Sequence, residues 1–373
     1  MKKADDMLDL PKQTQAREDE RVRHRRNTGR MTLRDVAEHL GISQISVSRY
    51  FQKPERLSGD LRERIGQAVD ELGYVPNLVA GGLASATSSV IGMVIPNISG
   101  PIFAETIQTF SDAVTARGYQ LLLASSYFSE TLEENAVRAF LGWSPAALVL
   151  TSAHHSAATE EMIARAHIPI IEAWSFQADR EPIQIGFSQA DVGRLAARHL
   201  VERGYRRIAY ALTSVAGDLH TLDRRDGYIE VMRELGREPL TFTPNATSPF
   251  HAGKQALEAL AKCEQPADAI IFANDNLAAG ALLAAPGMNI SVPGDCAMIG
   301  FGGFALSEMM TPGLTSIRPP AGTIGLLAAE RIFEVVESET PRQPIARDRR
   351  LNKLACELVE RESTGWARGK LTP

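Results

Sequence analysis

Three stretches near the N-terminus carry the 3.6-residue apolar period of a helix, each with its own start and stop signals. In residues 31–51, MTLRDVAEHLGISQISVSRYF, Val36, Ala37 and Leu40 share one face. Thr32 precedes them as an N-cap with Asp35 three positions on, a capping-box arrangement, and Gly41 supplies a left-handed stop. Ser43 then caps a second helix over about 44–51 with Val47 facing inward. A third helix, LSGDLRERIGQAVDELGY, starts at the cap Ser58 and aligns Leu61, Ile65, Ala68 and Leu72 before Gly73 and Pro76 end it. Three such helices enclose one small core, and the first two form a helix-turn-helix. In that motif the N-terminal side chains of the second helix enter a DNA major groove.

Residues 77–89, NLVAGGLASATSS, follow neither period and read as a hinge, with Asn77 able to cap a short turn. From residue 90 the pattern changes to short apolar runs alternating with amphipathic helices. VIGMVIP, YQLLLAS, AALVLTS, IPIIEAW and IQIGF are the first strands; RRIAYAL, DAIIFAN and CAMIGFG belong to a second set. Strict alternation of this kind is the βαβ signature of parallel sheets covered on both faces. The chain is therefore expected to be an all-α helix-turn-helix headpiece plus an α/β core of two doubly wound subdomains. The expected boundaries are a basic disordered tail over 1–30, the headpiece over 31–76, the hinge over 77–89 and the core over 90–363. Within the core, 90–187 and 318–340 form one lobe, 188–317 and 341–363 the other, with crossings near 185–188 and 314–319; residues 364–373 are a tail. Ligands in such sheets bind beyond the carboxyl ends of strands, so two facing lobes make a cleft.

Composition narrows the class. The 373 residues are 44% hydrophobic and 23% charged, ordinary for a globular protein. No apolar run is long enough to span a membrane, and the mixed-charge N-terminus has no secretory h-region, so a cytoplasmic location is expected. Net charge is −5, divided as +2 over residues 1–80 and −7 over the rest. The cluster Arg21-Val-Arg-His-Arg-Arg26 suits phosphate contact or a solvated tail equally. Cys263, Cys296 and Cys356 are too few and scattered for a disulfide framework or a zinc module, and read as small buried thiols. Gly300-Phe-Gly-Gly303 lacks the Lys-Ser/Thr of a P-loop. His154-His155 has no partner at ligand spacing, so a loop pair is the simpler reading, and neither a cofactor nor a catalytic group is expected.

TLRDVAEHLGISQISVSRYF, ELGYVPNLVA, IPNISGPIFAE, IFANDNLAAG and LVERES, in that order and spacing, resemble the lactose-repressor (LacI/GalR) family of bacterial transcription regulators over about residues 31–363. The resemblance implies a periplasmic-binding-protein-like core, a homodimer, palindromic operator DNA and a small-molecule effector. It places Gln44, Ile45 and Arg49 at base edges and Thr32, Leu33 and Ser43 near the backbone or groove edge. Arg49 then suits guanine, Gln44 adenine and Ile45 a thymine methyl, although Ile45 is also the size and type for the headpiece core. Leu83, with Asn77 in the same hinge, matches a leucine wedge in the minor groove, here preceded by the helix-weakening Gly81-Gly82.

In the cleft the resemblance makes Arg224 the effector clamp, with Asn274 and Asp275 at a strand's carboxyl end; capping alone would also account for Asp275. Phe103 and Tyr127 are candidate aromatic walls, and Glu172, Trp174 and Gln189 are candidates for contact or for plain core. Where many relatives carry a sugar-binding aspartate, this chain has Gly302-Gly303, which lowers the cost of an anion beside Arg224. With YFSE after the second strand, this is similar to the gluconate-repressor branch and implies a sugar acid and release from DNA. The rival readings are a solute-binding protein without a DNA role and a regulator using a neutral sugar as co-repressor.

Overall fold

The computed structural model describes residues 31–76, 88–98, 100–338 and 347–365. The basic tail over 1–30 and the hinge residues Asn77, Gly81, Gly82 and Leu83 lie outside them. The chain divides into two compact units, Met1–Ala86 and Thr87–Pro373.

In the first unit, helices α1 (Leu33–Leu40), α2 (Gln44–Gln52) and α3 (Gly59–Leu72) close around Val36, Ala37, Val47, Ile65 and Ala68. The caps are those read from the sequence. The Asp35 N–H donates to Thr32 Oγ1 at 3.3 Å while the Thr32 N–H donates to Asp35 Oδ2 at 2.7 Å. Gly41 and Gly73 end α1 and α3 at φ 65° and 60°.

The second unit holds two six-stranded sheets. Its elements, in order, are β1 (Val90–Ile95), α4 (Ala104–Thr115), β2 (Gln120–Ser125), α5 (Glu130–Gly142), β3 (Ala147–Leu150), α6 (Ala157–Ala164), β4 (Ile170–Ala173), β5 (Ile183–Gly186) and α7 (Gln189–Glu202). There follow β6 (Ile208–Ala211), α8 (Leu219–Glu234), β7 (Leu240–Phe242), α9 (Pro249–Ala261), β8 (Ala269–Phe272), α10 (Asp275–Ala284), β9 (Ala297–Phe301) and α11 (Ala305–Met309). The last are β10 (Thr315–Arg318), α12 (Ala321–Val336), α13 (Arg347–Arg350), β11 (Leu351–Lys353) and β12 (Glu357–Val359). The first sheet has the order β11-β5-β4-β3-β1-β2 and is parallel throughout. The second, β12-β10-β9-β8-β6-β7, is parallel except where β12 meets β10.

The first two expected crossings occur, between β5 and α7 and between β10 and α12. The third, which the expected boundaries put at 340/341, lies later, between β11 and β12. The stretch LNKLACELV, expected wholly in the second lobe, splits: Leu351–Lys353 pairs with β5 of the first sheet, whereas Glu357–Val359 pairs with β10 of the second. The core also runs past residue 363. Ser363 and Thr364 are fully buried, and Thr364 Oγ1 lies 2.9 Å from His199 Nε2 and 2.7 Å from Thr315 Oγ1. Of the cysteines only Cys296 is buried; Cys356 is half-buried and Cys263 exposed, and all three are free. No helix among the described residues is long and apolar enough to cross a membrane.

The two helices that frame the cleft pack with almost no space between their backbones. A Cβ at Gly193 of α7 would stand 1.8 Å from the Arg224 carbonyl oxygen, and one at Gly227 of α8 would stand 2.0 Å from that of Ala190. Only glycine permits this approach. It sets Arg224 beside Gln189, the first residue of α7.

Candidate functional site

The headpiece presents its candidate DNA-reading side chains along α2, from Gln44 in the first turn to Arg49 in the last. Gln44, Ile45 and Arg49 are exposed, and Ile45 and Arg49 are one turn apart on the same face. Ile45 keeps 64% of its surface exposed, so it is not part of the core that Val47, on the opposite face, completes. A large aliphatic group held out at the first turn of a short helix gains nothing from folding and is available for a partner. Thr32 and Ser43 are exposed too, but each already caps a helix; the Ser46 N–H donates to Ser43 Oγ at 3.2 Å. Those two helix N-termini offer partial positive charge suited to phosphates. Leu33 is half-buried, its side chain packing against the headpiece core.

In the second unit a cavity of about 250 Å³ opens between the lobes, where loops follow the carboxyl ends of strands in both sheets. Its size is at the low end for small-molecule sites, which suits one small metabolite. Five of the expected residues line it: Phe103, Trp174, Gln189, Arg224 and Asn274. Arg224 is 6% exposed. Its Nη1 donates to Gln189 Oε1 at 2.5 Å, its Nη2 to Thr221 Oγ1 at 3.0 Å and to the Ala273 carbonyl at 3.3 Å. The guanidinium carbon stands 4.2 Å from the centre of the Phe301 ring. Every one of these partners is neutral, and Arg224 Nε is buried with no hydrogen-bond partner. A buried cation without a carboxylate is costly, and an anion from outside would remove that cost.

Gln189 ties this arginine to the other lobe, because its Nε2 donates to the Trp174 carbonyl at 2.8 Å. Trp174 has φ 66°, ends β4 and packs edge-on against Phe103 with ring centroids 4.7 Å apart. Its indole Nε1 is likewise buried without a partner. Asn274 uses Oδ1 to accept the Leu277 N–H at 3.1 Å as the N-cap of α10, which leaves its amide donors for the cavity. Asp218, a second lining residue, caps α8 through the Thr221 N–H and hydroxyl at 3.1 and 2.7 Å. His220 closes one end. Burial pushes it down to about 4, so it is neutral at pH 7, and its Nε2 is 3.2 Å from Ser175 Oγ of the other lobe.

Three expected contacts do not reach the cavity. Tyr127 is 67% exposed; it and Phe128 both have positive φ, 49° and 61°, and the resulting bend turns Phe128 inward instead. Glu172 shares a face of β4 with Ile170, and strand alternation sends it away from the cleft to Arg180, His155 and Gln184. Asp275 turns into its own lobe and accepts from the Phe304 N–H at 2.9 Å, Ser307 Oγ at 2.8 Å and Ser316 Oγ at 2.7 Å. It therefore braces the loop that begins at Gly302 and Gly303, whose φ values of 135° and 65° admit few other residues. Phe128, His220, Asn276 and Phe304 line the cavity without having been expected. For Phe128 and Asn276 the sequence pointed one residue too early.

Comparison with known proteins covers both units. The model of bacterial regulatory proteins, lacI family, matches residues 32–77, and that of a periplasmic binding protein-like domain matches 197–364. The HTH-type transcriptional regulator GntR of Escherichia coli (strain K12) is 31% identical over 315 residues, 84% of this chain and 95% of its own. The regulator of the same name from Pseudomonas aeruginosa is 33% identical over 342 residues, 91% of this chain and 97% of its own. Among solved structures, a LacI family transcriptional regulator from Silicibacter pomeroyi superimposes with a TM-score of 0.82 at 27% identity, covering 90% of this chain and 99% of that one.

Proposed function

The chain belongs to the lacI family of bacterial regulatory proteins and is a DNA-binding transcriptional regulator, and from that premise we propose that it is a cytoplasmic, homodimeric repressor released from a palindromic operator by a sugar acid. The observation that carries the effector class is Arg224, a buried guanidinium in the cleft whose protein partners are all neutral. A carboxylate meets that group through paired N–H donors, while Asn274 and Asn276 offer amides to hydroxyls. A neutral sugar would leave the cation without a counter-charge. The chain performs no catalysis in this reading, since its relatives are transcriptional regulators and the cleft groups hold a ligand rather than transform one.

Isothermal calorimetry on the purified protein decides the effector class. Gluconate is expected to bind and glucose is not; saturation by neutral hexoses with no heat from any aldonate would sink the assignment.

The headpiece carries its own prediction. Arg49→Ala is expected to weaken binding to a single half-site about tenfold to 100-fold and to relax selectivity at one base pair. Gel retardation at fixed salt against operator variants measures both. An equal loss on every sequence, with a shallower salt slope, would instead make Arg49 a phosphate contact.

A further inference from the structure

His220 and Phe128 of the cleft each have a second side. There they border a second, smaller cavity of about 50 Å³ between the lobes, an annex to the first. Its remaining walls are mixed: Pro96 and Leu219 are apolar, while Ser126, Ser129, Thr151, Ser152, Glu130 and Glu133 supply polar groups. Thr151 Oγ1 donates to the Val94 carbonyl at 3.1 Å, and Ser152 Oγ accepts the His154 N–H at 3.0 Å. Each hydroxyl has one proton and two lone pairs, so each retains capacity for a further partner. A space of that size takes a few water-sized polar groups and has no room for a ring.

Charge differs between the two ends. In the annex the cations already have carboxylates. Burial alone would lower His155, but its hydrogen bond to Glu133 and the Glu172 carboxylate 3.5 Å away raise it to about 9, and His154 Nε2 is 3.1 Å from Asp223 Oδ2. In the main cavity Arg224 has none. An anionic group is therefore drawn to Arg224 and repelled by Glu130 and Glu133. His220 and Arg224 are four residues apart on α8, about 6 Å at 1.5 Å per residue, which matches the span of an extended chain of five or six carbons.

We propose that the annex is a polyol subsite that measures effector length. An acyclic aldonate of five or six carbons lies along α8 with its carboxylate on Arg224, and its terminal hydroxyls pass Phe128 and His220 into the annex. This rests on the sugar-acid reading of the cleft and adds orientation, acyclic form and chain length to it. A three-carbon hydroxy acid reaches Arg224 but stops short of the annex.

The test is calorimetry on the full chain with gluconate, glycerate and sorbitol, repeated on Ser152→Leu, which fills the annex. Gluconate is expected to bind at least about tenfold more tightly than glycerate, two or three added hydroxyl contacts being enough for that. In Ser152→Leu gluconate should fall to the level of glycerate, while glycerate stays within about twofold of wild type, which also shows that the variant is folded. Equal binding of gluconate and glycerate by the wild type, or gluconate binding untouched by Ser152→Leu, would overturn the annex. Sorbitol binding as tightly as gluconate gives a different signature and overturns the sugar-acid reading beneath it.

Discussion

Arg224→Met is expected to cost between about 30-fold and 5,000-fold in aldonate affinity while leaving operator binding intact, giving a repressor that no longer lets go. The magnitude follows from removing one member of a buried charged pair, worth about 2–5 kcal/mol. The substitution lies in the second unit and leaves every DNA-reading side chain of the headpiece as it is. Arg224→Lys should fall between the two, because an ammonium supplies the charge without the planar fork. The loss also reaches the switch. Gln189 binds Arg224 with one end and the Trp174 carbonyl of the opposite lobe with the other. A carboxylate that takes Nη1 competes with Gln189 and so alters a link between the lobes. An effector shifts such an equilibrium only by its differential affinity for the two arrangements. Calorimetry measures the affinity, and retardation with and without gluconate measures the response. Gluconate binding within threefold of wild type in Arg224→Met, with an unchanged melting temperature, would remove Arg224 from the site.

What the sequence made legible divides along the range of the interactions. The headpiece was readable almost residue by residue because its determinants are local: a 3.6 period, three hydroxyl caps and two left-handed glycines, all within one or two turns of the residues they specify. The exposure of Ile45 follows from the same period, since Val47 and Ile45 cannot both face inward. In the core, residues at the junction of strand and helix were found, Gln189 and Asn274 among them, because a βα junction leaves a mark in the pattern. The misses depended on geometry without such a mark. The inward turn of Phe128 depends on two successive positive φ values at residues that are not glycine. The fate of Glu172 depends on strand parity, which Trp174 then breaks by its own positive φ. Strands β11 and β12, three residues each, are too short to show alternation, and their partners lie more than 150 and about 40 residues earlier. Edge pairing at that range leaves no local trace.

Glu172 illustrates how a buried carboxylate can be wrongly assigned to a cleft, and its substitution separates the two roles. It has no exposed surface; Arg180 Nε donates to it at 3.0 Å, a second Arg180 nitrogen pairs with Oε1, Gln184 Nε2 donates at 2.5 Å, and His155 Nε2 lies 3.5 Å away. Glu172→Gln leaves both cations in place and removes their shared counter-charge. Breaking one partner of a buried pair costs about 3–5 kcal/mol. Because Arg180 retains Glu160 at 2.7 Å and His155 retains Glu133 at 2.6 Å, the low end, about 3 kcal/mol, is expected. Gluconate affinity at 25 °C should not change, in contrast to Arg224→Met. The pH dependence has a definite sign. Burial alone would raise Glu172, but the His155 ring 3.5 Å away and the hydrogen bonds from Arg180 and Gln184 hold it below the usual carboxylate value of 4.5. Its contribution is thus present above about 4.5 and lost as pH falls through the folded value. His155, raised from 6.5 to about 9, contributes fully below about 6.5 and loses its contribution as pH rises through 9. The network therefore stabilises the first lobe most between about pH 4.5 and 6.5, and the penalty of Glu172→Gln in urea denaturation should shrink on either side of that window. A penalty below about 1 kcal/mol, or one flat from pH 5 to 9, would mean that solvent reaches these charges and that Glu172 is not the buried hub of the lobe.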